Sequence, residues 1–96
     1  EGPLVKELET LDREPTPERL VQDLLSDAVQ KMRRLALPEV QRVLTEAEPY
    51  VQQLPPTASG RALLCAVALR KAHVALLQGD SVTAEAELSR ALSATA

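Results

Sequence analysis

The feature that most constrains this chain is its near lack of aromatic side chains, together with the absence of Ile. Tyr50 is the only residue of the Phe, Trp and Tyr class among 96, and Ile does not occur. A core must therefore be built from Leu, Val and Ala. Leu and Ala, together with the abundant Glu, Gln and Arg, are good helix formers, whereas aromatic residues and Ile favour strands. The composition predicts an all-α fold, with more than about 65% helix against about one-third in an average globular protein.

Charge and cysteine content narrow the classes of function. The net charge is −3 and the pI is about 5.1, which argues against a general nucleic-acid binder, because such proteins carry a basic face. A single cysteine, Cys65, cannot form an internal disulfide, so we expect an intracellular setting, cytoplasmic or nuclear. No apolar run approaches the roughly 18 residues that predict a membrane span, and no signal peptide is recognisable. Because the chain opens with Glu-Gly-Pro rather than Met, we expect it to be a segment of a larger protein, although a processed N-terminus would look the same.

The first 14 residues predict a short amphipathic helix. Its apolar residues follow the spacing i, i+1, i+4 and i+7: Leu4, Val5, Leu8 and Leu11. This helix stops before Pro15, because the residue preceding a proline avoids the helical region. It either packs onto the rest of the domain or fills a groove that a partner helix otherwise uses.

Residues 15–96 predict one domain of two helical hairpins, covering residues 16–53 and 59–95. Thr16 and Pro17 form a helix start signal, and Pro38 ends the first helix and begins the second. Pro49 interrupts the second apolar stripe, so we expect a kink or a break there. The segment from Pro55 to Gly60 is predicted to form a loop. Because the connections are short, consecutive helices should be antiparallel neighbours, which gives a bundle of four to five helices.

The segment from Arg61 to Gln78 is apolar on nearly all sides. At 100° per residue, one side carries Cys65, Leu69 and Leu76, and the opposite side carries Leu63, Val67 and Val74. A helix that is apolar on two faces is expected between two neighbours, so we predict a central helix with Leu69 and Leu76 in the core. Substituting either leucine with alanine would then cost about 2–5 kcal/mol. Gly79 should end this helix, with Asp80 or Ser81 capping the next.

The second hairpin resembles a tetratricopeptide repeat. The resemblance covers about a third of the chain, and the residues that carry it are Ala72, Gly79-Asp80, Ala84, Leu88, Ala91 and Leu92. The first hairpin is a more degenerate match, with Leu37-Pro38 in place of Gly-Asp. The resemblance implies closely packed helical hairpins that bind peptides or helices of other proteins. Close packing in any helical hairpin would also select alanine at these positions.

The residues needed for chemistry are few. Cys65 and His73 lie eight residues apart on one predicted helix, about 12 Å along its axis, so they cannot form a catalytic pair. One His and one Cys are too few for a metal site, and no glycine-rich phosphate loop occurs. We therefore expect no catalytic residues, no cofactor and no metal.

One group of cations is the candidate partner-binding site. Its members fall in the C-terminal halves of the first helices of the two hairpins: Lys31, Arg33, Arg34, Arg70 and Lys71. If those helices lie side by side, they form a basic patch suited to an acidic peptide. The alternative is that these cations complement the helix dipoles and keep the protein soluble.

The sequence thus predicts a protein–protein interaction module, an adaptor or scaffold segment that docks a partner helix or peptide between helices. The alternative is a self-association domain in which one patch pairs with its own copy. A third hypothesis, a three-helix domain of the microtubule-interacting-and-trafficking type, shares the groove but requires fewer helices. No nucleic-acid or membrane partner is expected.

Overall fold

The computed structural model describes residues 16–95, which form four α-helices. These are α1 (Pro17–Arg33), α2 (Leu37–Val51), α3 (Ala58–Leu77) and α4 (Ser81–Thr95). The helices hold 84% of the described residues, and no strand occurs among them. The predicted all-α helical bundle is therefore confirmed. The helix predicted over residues 1–14 lies outside the described residues.

Side-chain caps fix three of the helix starts. Thr16 accepts a hydrogen bond from the Arg19 backbone N–H (3.2 Å), and Pro17 occupies the first position of α1, as predicted. Asp80 caps α4 by accepting from the Thr83 N–H (3.1 Å). The hydrogen bonds with Thr83 hold the pKa of Asp80 below its usual value. The third cap is Thr57, which accepts from the Gly60 N–H at the start of α3 (3.1 Å).

Helices α1 and α3 are each followed by a short turn, and in each turn one residue adopts the left-handed backbone conformation. After α3, Gly79 has φ +78°, as its position past the helix end requires. After α1, Leu35 has φ +56°, a conformation that a side chain disfavours. The Leu35 N–H donates to the Met32 carbonyl (2.9 Å), and the Ala36 N–H donates to that of Lys31 (3.1 Å). These bonds close the last turn of α1 and satisfy carbonyls that the helix end would leave free.

Two predicted boundaries differ from the structure. Helix α2 continues through Pro49 and ends at Val51, so the proline does not divide the helix. Because Pro49 lies near the C-terminal end of α2, its missing N–H removes only one hydrogen bond of the last turn. The predicted loop is also shorter, because the Thr57 cap starts α3 at Ala58 and places Gly60 inside the first turn.

Gly60 is required by packing. A Cβ at this position would lie well inside van der Waals contact of the Pro55 carbonyl oxygen. The glycine therefore lets the connecting segment cross directly over the first turn of α3.

Helix α3 is central. The backbones of α1 and α2 lie close to each other, as do those of α3 and α4, and α3 alone also approaches both α1 and α2. The main core lies between α1, α2 and α3, and its buried residues are Val21, Ala28, Val40, Val43, Leu44, Ala47, Val51, Val67 and Val74. Within the described part of the chain, the backbone of α4 approaches only that of α3.

The packing of α3 corrects one prediction. Val67 and Val74 are buried in the main core as expected, but Leu69 and Leu76 are 47% and 57% exposed. The second packed face of α3 is instead a row of alanines, Ala68, Ala72 and Ala75. Helix α4 meets this row with its own buried residues, Ala84, Ala91 and Ala94. Because small side chains let two helices approach closely, α4 lies on the alanines and leaves the adjacent leucines outside.

This arrangement predicts that Val67→Ala destabilises the domain more than Leu69→Ala does. Removing two methyl groups from a fully buried site should lower the free energy of unfolding by about 1–3 kcal/mol. Leu69→Ala removes more atoms but from the surface, and should cost less than about 1 kcal/mol. Urea denaturation of the two variants checks the order. A larger loss for Leu69→Ala would contradict the placement of α4.

Gly60→Ala should destabilise the domain by about 1–3 kcal/mol, because the new methyl group collides with backbone rather than with a movable side chain. Helix propensity alone would give the opposite sign, since alanine is better than glycine in a helix by about 1 kcal/mol. Thermal unfolding distinguishes the two. An increase in melting temperature would show that the contact with Pro55 is not limiting.

Candidate functional site

Charged side chains from three helices meet at Glu48. Arg90 of α4 donates from Nη1 to Glu48 Oε1 (2.6 Å) and from Nη2 to Oε2 (2.9 Å). Lys71 of α3 donates to the same carboxylate, and Glu87 accepts from Arg90 at 3.3 Å. These side chains are largely shielded from solvent. The cluster therefore joins α2 to α4, whose backbones do not approach each other.

The hydrogen bonds from Arg90, aided by the Lys71 ammonium, hold the pKa of Glu48 at about 2, against an ordinary value of 4.5. Partial burial acts in the opposite direction but is outweighed. The same contact raises the pKa of Arg90. The carboxylate is therefore ionised at any physiological pH, and its charge is already matched within the domain.

A small cavity of about 160 Å³ lies beside this cluster, between α2, α3 and α4. Its lining residues are Gln41, Leu44, Thr45, Lys71, Val74, Ala75, Gln78, Asp80, Thr83 and Glu87. It contains amides, hydroxyls and the paired charges, but neither Cys65 nor His73. Within residues 16–95, no group of three or more His, Cys, Asp and Glu side chains is arranged to hold a metal ion.

The predicted basic residues have different roles. Lys31 is bound to Asp27 (2.7 Å), and Lys71 belongs to the Glu48 cluster. Arg33 and Arg34 are exposed, and Arg70 is half-buried. Because Ser59 donates to Glu18 (2.9 Å), the N-terminal ends of α1 and α3 lie side by side. The basic group as a binding site stays a prediction, and its accessible members are Arg33 and Arg34.

The candidate site that the structure adds is apolar. Five leucines of α3 and α4 are exposed, and one of them, Leu77 (49%), lies about 80–100° around α3 from Leu69 and Leu76. The other four are Leu69 (47%), Leu76 (57%), Leu88 (41%) and Leu92 (71%). We call these four residues the outer face. The sequence pattern did not identify it, because leucines at helical spacing are typical of a core. The sequence feature that could have identified the outer face is the row of alanines beside each pair of leucines.

The position of the outer face follows from the helix rotation. Gln78, which directly follows α3, and Thr83 of α4 line the cavity against α2. At 100° per residue, Leu76 and Leu92 lie about 160–180° around their helices from these two residues. Both leucine pairs therefore lie on the side of α3 and α4 that is turned away from α2.

Three of the four leucines also lie at similar heights above the turn between α3 and α4. The turn between α3 and α4 spans residues 78–80. Counting 1.5 Å per residue from this turn, Leu69 lies at about 12 Å, between Leu88 and Leu92 at about 10 and 17 Å. Leu76 lies next to the turn. On the outer face, leucines of α3 and α4 thus flank the line along which the two helices meet on their buried alanines, and the half-buried Cys65 lies on the same side of α3.

Comparisons with known proteins add no relative. No family model, no curated protein and no solved structure matches this chain. In the described part of the chain, no helix has both the length and the apolar character needed to cross a membrane.

Glu48→Gln should lower the free energy of unfolding by about 1–2 kcal/mol, because Lys71 and Arg90 lose their charge-assisted hydrogen bonds in a partly screened site. Glu46→Gln, an exposed site two residues away on α2, is the control and should change stability by less than about 0.5 kcal/mol.

The pH dependence gives a second check. The folded-state pKa of Glu48 lies below its ordinary value, so its contribution is complete above pH 4.5 and disappears as the pH falls toward 2. The stability difference between wild type and Glu48→Gln, measured by denaturant melts, should shrink over this interval. A difference that stays constant with pH would mean that the charge on Glu48 does not stabilise the contact between α2 and α4.

Proposed function

We propose that this domain is a protein–protein interaction module that binds an amphipathic helix of another protein on the outer face. The observation that carries the proposal is the exposure of Leu69, Leu76, Leu88 and Leu92 on one side of a two-helix layer. Single exposed leucines are common, but several on one surface are typical of an interaction site.

The shape of this surface suits a helix. Leucines of α3 and α4 would form the two walls of a groove along the line where the helices meet on their buried alanines. An apolar ridge with i, i+3 and i+4 spacing can lie in such a groove and bury its side chains between the walls. The resemblance to tetratricopeptide repeats supports the same mode, since that family implies binding of helices or peptides.

The border of the outer face on α3 favours an acidic partner. Helix α3 contains Arg61, Arg70, Lys71 and His73 and no Asp or Glu. Arg61 and His73 are exposed. Charges at the rim would mainly speed association and select the partner, and the leucines would supply most of the affinity.

Binding rather than catalysis is the role that we assign to the module, as an adaptor or scaffold segment of a larger protein. An intracellular setting, where thiols remain reduced, would keep Cys65 in its free form. Self-association through the same outer face is the competing function, because a two-fold contact would reuse the four leucines on both copies.

The test is a charge substitution on the outer face. Leu88→Glu with Leu92→Glu should leave the helix content unchanged, because both residues are exposed, and should weaken partner binding at least tenfold, which is about 1.4 kcal/mol. Affinity capture from a cell extract and titration of the captured protein measure this loss.

Val82→Glu is the matched control, since it also places a charge at an exposed apolar residue of α4, about 80–120° around the helix from the two leucines. Capture by wild type and Val82→Glu, but not by the double variant, supports the proposal. Equal capture by all three would place the binding site elsewhere. Sedimentation of the wild type as a dimer that the double variant abolishes would favour self-association instead.

A further inference from the structure

The two borders of the outer face have opposite chemistry. Helix α3 contains no Asp or Glu, and its border carries the exposed His73, with Arg70 one turn away. Helix α4 contains three charged residues, of which Glu87 and Arg90 belong to the ion cluster that joins α4 to α2. The third, Glu85, is exposed and takes part in none of the ion pairs of the described structure. The surface is therefore basic on the α3 side and acidic on the α4 side.

His73 and Glu85 occupy corresponding positions on the two helices. At 100° per residue, each lies about 130° around its helix from the centre of the buried alanine row, whereas the four leucines lie about 70–115° from it. Counted from the turn between α3 and α4, both residues lie at about 6 Å, a height between those of Leu76 and Leu69. They are therefore opposite each other across the outer face, one outside each pair of leucines.

A helix bound between the leucines would place its two flanks beside these side chains. A carboxylate on the flank toward α3 can accept a hydrogen bond from the His73 imidazole, which has an N–H donor in either protonation state. A lysine or arginine on the flank toward α4 can pair with the Glu85 carboxylate. The reverse arrangement would bring two carboxylates together at Glu85. Such like-charge contacts at a rim discriminate against the wrong arrangement of a partner.

The handedness of the α-helix converts this charge pattern into a direction. Around both α3 and α4, the side toward α2, the alanine row and the leucines follow one another in the order of increasing helical angle. With the turn at the bottom, an observer outside the molecule therefore sees α3 on the left and α4 on the right. In a heptad abcdefg with leucines at a and d, the e and g residues form opposite flanks. A bound helix parallel to α4 has its e residues toward α3, and an antiparallel one has its g residues there.

We propose that the outer face selects the direction of the helix that it binds, through an acidic flank beside His73 of α3 and a basic flank beside Glu85 of α4. The inference rests on the proposed function, since it concerns the same surface, and it specifies the partner. A helix with acids at e and bases at g lies parallel to α4, and one with the opposite flanks lies antiparallel to it.

A second copy of this chain fits the surface less well than a single helix. With a two-fold axis along the line between α3 and α4, Leu76 would face Ser81 of the other molecule. With an axis across the helices at the level of His73, His73 would face His73 and Glu85 would face Glu85. A single helix along the line between α3 and α4 reaches leucines of both and avoids these mismatches.

The probes are three synthetic peptides of about 14 residues, which as helices are about 21 Å long. All have leucine at a and d. The first has Glu at e and Lys at g, the second has Lys at e and Glu at g, and the third has Gln at both. Each is made with a cysteine at the N-terminus or at the C-terminus. The protein's own thiol is Cys65, about 18 Å above the turn on the same side of α3. Oxidised glutathione converts the peptide thiol and Cys65 to a disulfide and is itself reduced to two glutathione thiols.

We expect the first peptide to react with Cys65 about fivefold faster from its C-terminus than from its N-terminus, relative to the Gln peptide, because rim charges make modest contributions. The second peptide should show the opposite preference. In His73→Glu with Glu85→Lys, both preferences should be inverted. Mass spectrometry of the peptide adducts measures the rates.

Ratios equal to those of the Gln peptide, for both charged peptides, would overturn the proposed direction and leave the leucines as a helix-binding surface. Rates that do not fall in Leu88→Glu with Leu92→Glu would overturn the helix-binding surface as well, because labelling would then not depend on the outer face. Protein dimers linked through Cys65 that form faster than any peptide adduct would assign the surface to a second copy and overturn the inference.

Discussion

The contact between the alanines of α3 and those of α4 determines how the rest of the molecule is arranged. Ala68, Ala72 and Ala75 present a low surface, and α4 lies on it with buried alanines of its own. Small side chains contribute little apolar area each, so this contact gains from the close approach of two backbones and from many weak dispersion contacts. Its consequence is that the neighbouring leucines have no room between the helices and remain outside.

The second contribution comes from charge. Helix α4 has no backbone neighbour other than α3 in the described structure, and Glu48 provides its link to α2. The Glu48 carboxylate receives hydrogen bonds from two cations in a shielded site. Because its contact with the Arg90 guanidinium is bidentate, the relative orientation of these two groups is fixed. This explains why Lys71, which looked like a surface cation in the sequence, is part of the framework. The apolar core aligns α1, α2 and α3, and the ion cluster connects α4 to α2.

Together these features describe a domain in which the residues that stabilise the fold and those that we propose for binding are different residues of the same helices. Val67 and Val74 hold α3 in the core, whereas Leu69 on the same helix is exposed. Substitutions on the outer face should therefore change binding with little effect on folding.

The sequence by itself determined the helices, because their signals are local. Thr16 with Pro17, Pro38, and Gly79 with Asp80 mark ends through backbone geometry and capping bonds that involve only neighbouring residues. It also predicted that α3 would be central, since a helix apolar on nearly all sides needs more than one neighbour. Which sides of α3 are covered was decided by the tertiary structure. At 100° per residue, valine, alanine and leucine faces are equivalent candidates for a core, and only the fit of α4 against the alanines made the leucines a surface. The same holds for Glu48, because its partners lie 23 and 42 residues away along the chain and no local pattern relates them.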